Sequence, residues 1–463
     1  MVRSPISTFD EPDPEHFGRA TTPEGGNVAR RSLWRNRVFT RIWAAHSISQ
    51  VGTAVTQFAL PLLAAQTLGA TNTQVGLLLA VETIPLLALG LFVGVWADRR
   101  PRLPLMILAD LARMLLVAVI PAAWWLGELS LGLLFAVVML IGVFSVLFDV
   151  ASQALVNSIL AREHMIEGNA RMQTSYAMAD IAGPAGAGLL LRIVSTPVAF
   201  AIDAVSFGLS ALALIGTKAT ERSVVAAPTV GDPARSPLRS ILVDVRVGLA
   251  FVIDSPTLRT LTIGVATWNL FTAISRGMFI LFLLEELGLS EITIGLVTAA
   301  GGVGILIGTL LPNVVTNHLG LGRGIVVALA TTVPGYLLVA AAAGPVWLTI
   351  GCLLVGYVAQ QLASSVADIN QFSLRNAVTP DRLRGRVASA ARVVLRGTVP
   401  VGFLIGGIVA DLAGLRAAML LGVIGPLLFA ALIARSPIKS LRSLPPDPDE
   451  PHSSSAPIPF SSG

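Results

Sequence analysis

Twelve membrane-spanning helices in two related halves are what this sequence predicts, and three observations carry that reading. Of 463 residues, 54% are hydrophobic and only 13% charged, with a mean hydropathy of +0.76. A soluble domain carries about a quarter charged residues, so half of the usual charge is missing. Apolar runs of about 20 residues, the length that crosses a hydrocarbon layer, recur along most of the chain. The arginines, finally, fall in alternate loops between those runs rather than in one basic patch.

Taken in order, the spans begin near Phe39, Gln74, Leu103, Leu131, Gly168 and Pro197, then near Leu258, Glu291, Gly324, Pro345, Ala388 and Leu415. Short polar breaks separate them, such as Leu68-Gly69-Ala70-Thr71-Asn72-Thr73. Cytoplasmic loops of membrane proteins carry the excess of Lys and Arg. Here the rich loops hold Arg30 to Arg41, Arg99, Arg100 and Arg102, then Arg162 and Arg171, Lys218 to Arg259, Arg323, Arg375 to Arg386, and Arg435 to Arg442. The loops between hold Glu128, or Glu285, Glu286 and Glu291, or no charge. Arg192 and Arg416 are the exceptions. An even span count with both termini cytoplasmic satisfies the pattern.

Five segments follow: an N-terminal tail (1–33), a six-helix bundle (34–216), a cytoplasmic linker (217–257), a second six-helix bundle (258–436) and a C-terminal tail (437–463). The tails are rich in Pro, Ser and acids and are expected to be disordered. The first thirty residues hold no apolar run, so no signal peptide is expected and the first span directs insertion. In the linker, Leu238, Ile241, Leu242, Val245, Leu249 and Val252 recur at helical spacing opposite Arg239, Asp244 and Arg246. That predicts an amphipathic helix on the inner leaflet. One cysteine, Cys352, leaves no intrachain disulfide to form.

The halves echo each other. Gly183-Pro184-Ala185-Gly186 of span 5 and Val399-Pro400-Val401-Gly402 of span 11 are expected to occupy corresponding places in the two halves. A duplicated six-span unit accounts for this. After span 2 comes Gly94-Val95-Trp96-Ala97-Asp98-Arg99-Arg100-Pro101-Arg102; span 4 holds Phe148-Asp149-Val150-Ala151-Ser152-Gln153, span 6 holds Asp203-Ala204-Val205-Ser206-Phe207, and Leu374 to Arg386 leads into span 11. With Gly183, Pro184, Gly186 and Gly188, these motifs resemble the major facilitator superfamily, specifically its drug:proton antiporter branch with macrolide and enterobactin exporters. The resemblance covers residues 34 to 436. It implies an all-α polytopic fold of two pseudo-symmetric six-helix bundles, and export of a small amphipathic molecule (drug, siderophore or secondary metabolite) by proton antiport. It further implies a monomer in the bacterial cell membrane. By resemblance Gly94, Asp98, Arg99, Arg102 and Arg386 form a cytoplasmic gate, and Gly183, Pro184 and Gly186 a conformational element. Two departures stand out: the second-half counterpart of the span 2 loop, Asn317 to Arg323, is degenerate, and Gly52-Thr53 lacks the acid that relatives place after that glycine.

In such a fold spans 1, 4, 7 and 10 line a cavity, and each carries a polar stripe: Gln50, Thr53 and Gln57; Ser145, Asp149 and Ser152; Trp268, Asn269, Thr272 and Arg276; Gln361, Ser365 and Asp368. Polar groups at membrane depth need partners or water. Interhelical hydrogen bonding would also explain single Ser and Thr positions. Glu82 and Asp180 are sharper signals, since a charge at the bilayer centre costs at least about 2.5–3.5 kcal/mol. They are the proton-coupling candidates, with Asp149 third; a structural partner such as Arg276 is the competing explanation. Asp110 and Arg113, one turn apart, are expected to form a local ion pair. Gly90 and Gly94, Gly304 and Gly308, and Gly402 and Gly406 make small faces suited to close helix packing. His46, His164 and His318 are scattered, with solvated or loop positions expected.

Several classes are disfavoured. There is no Gly-x-x-x-x-Gly-Lys-Ser/Thr loop for ATP, no paired metal-ligand spacing, no hydrolytic triad and no basic patch for nucleic acid. The expected partners are a small-molecule substrate, protons and the lipid bilayer, with no cofactor and no enzymatic activity. An importer on the same fold is the alternative, and a membrane-embedded enzyme or receptor a more distant one.

Overall fold

In a computed structural model, residues 36–97, 100–160, 164–217 and 237–445 are described. The first half comprises α1 (Arg37–Leu62), α2 (Asn72–Ala97), α3 (Arg102–Leu126), α4 (Leu131–Ile159), α5 (Met165–Ile193) and α6 (Thr196–Leu214). The linker helix α7 (Pro237–Asp254) leads to α8 (Pro256–Leu281), α9 (Glu291–Leu310), the short α10 (Pro312–Leu319), α11 (Leu321–Ala340), α12 (Val346–Ala377), α13 (Arg384–Ala413), and α14 (Leu415–Leu421) followed by α15 (Ile424–Ala434). No strand occurs among the described residues.

Among these residues, eleven helical segments are long and apolar enough to cross a membrane, with α14 and α15 counted as one broken span. The exception is α5. Its 29 residues are long enough, but Glu167, Arg171, Asp180 and Arg192 dilute its apolar character. Packing along α1 and α9 makes it the twelfth.

Local chemistry sets the ends. Asn36 caps α1, its carboxamide oxygen accepting from the N–H groups of Val38 and Phe39 at 3.1 and 3.2 Å. Ser130, Ser255 and Ser290 do the same for α4, α8 and α9. Such side chains replace the bonds that a first turn lacks. The duplication reappears as geometry. Both α1 and α8 end in a π-helical turn, Leu63–Thr67 and Phe282–Glu286. Each is followed by a glycine at φ 62°, Gly69 and Gly288, a left-handed backbone that glycine adopts without steric cost.

Packing repeats as well. In the first half α1 lies against α5 and α6, α3 against α4 and α6, and α2 against α4. In the second, α8 lies against α13 and α15, α11 against α12 and α15, and α9 against α12. Two crossings join the halves, α2 on α13 and α5 on α9, and they too are equivalent. Two of the three glycine faces act as expected; in the third, the surroundings of Gly94 lie outside the described residues. Gly304 and Gly308 of α9 admit the carbonyls of Val358 and Leu362, and Gly402 and Gly406 of α13 those of Leu270 and Ile274. Among the described residues, a Cβ on Gly90 would meet Leu86 of its own helix.

The linker helix forms, and it docks on protein. Gly248 sits against the Arg386 carbonyl, and Val252 packs with Leu258 and Val387. Leu249 and Ile253, 37% and 51% exposed, point away from that contact.

Candidate functional site

One large apolar cluster spans both halves at the end where α1 meets α2 and α8 meets α9, including Phe58, Leu62, Val75, Phe282, Leu289 and Met419. Toward the opposite end, where α1 begins and α15 ends, the clusters separate: one around Phe148 in the first half, one around Trp268 in the second. The halves therefore close on each other at one end and part at the other.

Closure is made by glycines. A Cβ on Gly76 would strike the Phe403 carbonyl, and one on Gly407 the Asn72 carbonyl, across the α2–α13 crossing. In the α5–α9 crossing Gly188 meets the Glu291 carbonyl and Gly295 the Pro184 carbonyl. The separation in sequence between Gly76 and Gly295 is the same as that between Gly188 and Gly407. The duplication has thus placed backbone-to-backbone contact at both crossings. Toward the other end, a Cβ on Gly385 or Gly397 of α13 would meet open space.

Within the parted region the candidate residues separate into two groups. Asp149, Asp180, Arg276, Asp368 and Gln57 are exposed on their helices. Gln57 Nε2 donates to Glu82 Oε1 in a long 3.5 Å hydrogen bond, joining α1 to α2. The charge of Arg276 bears on Glu82 of α2, Asp180 of α5, Tyr336 of α11 and Tyr357 of α12. A side chain felt from four helices of both halves sits between the halves. Among the described residues, no ion pair within 4.0 Å joins Arg276 to either carboxylate, so no fixed salt bridge explains them. Asp180 also lines a cavity of about 190 Å³ with Gln173 and Tyr176 of α5 and Gly302, Ile305 and Leu306 of α9.

The second group is spent on packing within a half. Trp268 is 4% exposed and lies against Phe429, ring centroids 6.1 Å apart. Asn269 Nδ2 donates to the Leu395 carbonyl at 3.0 Å, and Thr272 shares a 3.2 Å hydrogen bond with the Tyr336 hydroxyl. Gln361 and Ser365 cover the glycine face of α9. Thr53 donates back to the Ser49 carbonyl, and Gln50 is half-buried.

Of the gate residues, Asp98 and Arg99 lie outside the described residues. Gly94 falls in the last turns of α2, and Arg102 is buried at the start of α3. Arg386 pairs with Asp244 of α7 at 2.8 Å, tying the linker helix to the start of α13. Gly183 lies against Ala54 of α1, the Pro184 carbonyl against Gly295, and Gly186 faces open space.

His46 corrects an expectation. It is 1% exposed rather than solvated, stacked on Phe148 at 6.0 Å and edge-on to Tyr176 at 4.8 Å, because α1 turns that face into α4 and α5. Beside it the expected ion pair of Asp110 and Arg113 is present, wholly buried. Arg113 lies between the rings of Phe148 and Phe207, 4.3 Å from each, and Ser210 donates to Asp110 at 2.6 Å. Asp203 accepts from Thr56 and Ser206. This cage belongs to one half.

The sequence pattern does not point to Asp411. Its carboxylate, near the end of α13, accepts from the backbone N–H groups of Asn72 at 3.0 Å and Thr73 at 2.8 Å, at the start of α2 in the other half.

Residues 31–457 match the family model described as transmembrane secretion effector. The multidrug efflux pump Tap of Mycolicibacterium fortuitum is 25% identical over 80% of this chain and 88% of its own length. The enterobactin exporter EntS of Escherichia coli O1:K1 is 26% identical over 88% of this chain and 94% of its own. Among solved structures, a bacterial homologue of the iron transporter ferroportin in its inward-facing state superimposes with a TM-score of 0.68 at 18% identity, covering 89% of this chain and all of that one.

Proposed function

From the premise that the chain belongs to the transmembrane secretion effector family of the major facilitator superfamily, we propose that it exports a small amphipathic molecule by proton antiport, with both termini in the cytoplasm of a bacterial cell. The observation that carries this reading is the set of Glu82 and Asp180 from one half facing Arg276 from the other, with no fixed ion pair among them. Carboxylates held in a structural bridge have no freedom to exchange a proton. Among the described residues neither is paired with Arg276 within 4.0 Å, so neither is tied to it in this arrangement. An ionised carboxylate at membrane depth is costly without a partner, so either group can trade a proton for a substrate's contact as the cavity changes sides. Efflux relatives support the outward direction, and the arginine-rich loops support the orientation.

The test is accumulation of a fluorescent amphipathic substrate in inside-out vesicles. Uptake is expected with an imposed pH gradient, to collapse with a protonophore and to survive ATP depletion while the gradient is held. Uptake that persists without any ion gradient would overturn secondary transport.

A further inference from the structure

We propose that Asp411 is a one-sided latch that holds the halves closed at the end where α2 begins and α13 finishes. The first turn of α2 supplies the reason. A helix start leaves N–H groups without partners. Here Thr71 and Gln74 form a capping box: Gln74 Oε1 accepts from the Thr71 N–H at 2.9 Å, and Thr71 Oγ1 accepts from the Gln74 N–H at 3.3 Å. The Val75 N–H donates to the Thr71 carbonyl at 3.0 Å. Asn72 and Thr73 remain, and both N–H groups donate to Asp411, one to each carboxylate oxygen. The helix start is thus completed from the other half of the protein. The glycine contact sets the distance: Gly407, one turn before Asp411, lies on the Asn72 carbonyl. A side chain at Gly407 would hold the carboxylate out of reach. A carboxylate on a helix N-terminus also meets the positive end of the helix dipole, and bonds to an ionised acceptor are the stronger kind.

The duplication makes the latch stand out by its absence on the other side. The separation that relates Gly407 to Gly188 leads from Asp411 back to Arg192, in the equivalent place on α5. A guanidinium has no lone pair to offer an N–H. There α9 is capped locally, the Ser290 hydroxyl accepting from the Thr293 N–H at 3.4 Å. Both crossings close by glycine contact, and one of them is fastened as well. Parting the halves at this end breaks both Asp411 bonds, whereas the capping box travels with α2. The carboxylate therefore stabilises the closed arrangement over the open one, which is what shifts a two-state equilibrium. The latch rests on the proposal that the cavity changes sides, and is independent of the direction of transport and of the coupling ion.

The experiment uses the full chain in lipid nanodiscs with Cys352→Ser, and spin labels at Glu128→Cys and Trp347→Cys. These exposed sites lie at the latched end, one in each half. Double electron–electron resonance then reads the ratio of long to short distances. Asp411→Ala is expected to raise that ratio by about 2- to 30-fold, the range that losing an N-terminal cap spans. Asp411→Asn keeps one acceptor oxygen in the same volume and should fall between. Gln74→Ala removes the Gln74 half of the capping box, a bond within the start of α2 itself, so it should lower the melting temperature and leave the ratio unchanged. An unchanged ratio in Asp411→Ala and Asp411→Asn overturns the latch, and so does a Gln74→Ala shift as large as that of Asp411→Ala. If the parent protein shows two distances while the Asp411 variants match it, only the latch falls. A single distance in all of them removes alternating access as well.

Discussion

Replacing Asp110 by asparagine tests whether the buried cage of the first half is held by charge. Asp110 and Arg113 are 0% and 2% exposed, so neither can turn to water when its partner is lost. In Asp110→Asn the guanidinium keeps its two aromatic faces, each 4.3 Å away, and loses the anion it touches. Removing one member of a buried pair costs about 3–5 kcal/mol, because the other charge stays buried without compensation. Asparagine can still accept one hydrogen bond from Arg113 and the ring contacts remain, so the low end, about 3 kcal/mol, is expected. That corresponds to a factor of about 10² in a folding equilibrium. Polytopic proteins unfold irreversibly, so the assay is a half-life: the monodisperse fraction in detergent, followed by size exclusion at fixed temperature. Asp110→Asn should shorten it strongly. Asp110→Leu combined with Arg113→Met should recover most of it, since apolar residues of similar volume replace a buried pair at little cost. A double variant as short-lived as the single one would refute the reasoning and assign the defect to packing.

Three further outcomes follow from the geometry. Gly407→Val drives a branched side chain into the Asn72 carbonyl, so transport should be lost while membrane expression persists; retained turnover in a transport assay would mean that the crossing is not needed for closure. Arg416→Ala should lower thermal stability by about 1–3 kcal/mol, because its guanidinium donates to the Ala340 carbonyl at 2.8 Å and the Ala342 carbonyl at 3.3 Å and lies 3.4 Å from Glu286; an unchanged melting temperature would contradict this. Glu82→Gln and Asp180→Asn should each fold and retain substrate binding, and the one that carries the proton should lose uphill transport and its pH dependence in vesicles; a double variant that keeps gradient-driven export would move the proton role to Asp149.

The spans were legible in the sequence because the bilayer leaves a helix little choice: every backbone polar group must be satisfied within the segment, and the outer face must be apolar for about 20 residues. The duplication was legible only in outline: Gly183-Pro184 and Val399-Pro400 suggested it, but the equivalent glycines Gly295 and Gly76 rest on the carbonyls of Pro184 and Phe403, so the structural counterpart of Pro184 is Phe403, almost one turn beyond Pro400. The Asp110–Arg113 pair was readable from their spacing of one helical turn. Tertiary structure decided everything that depends on which way a helix faces. Each cavity helix is surrounded by neighbours, so a polar stripe does not say whether it meets water or another helix. Gln57, Asp149 and Arg276 face the space between the halves, while Trp268, Asn269 and Thr272, on similar spacing, satisfy partners within their own half. The same holds for α5, whose charges hide a span that its packing reveals. It holds most of all for Asp411, which meets Asn72 and Thr73 from the opposite half of the chain. Periodicity reports the environment a helix needs on average; which helix supplies it is settled only when two backbones, thinned to glycine at Gly76 and Gly407, come into contact.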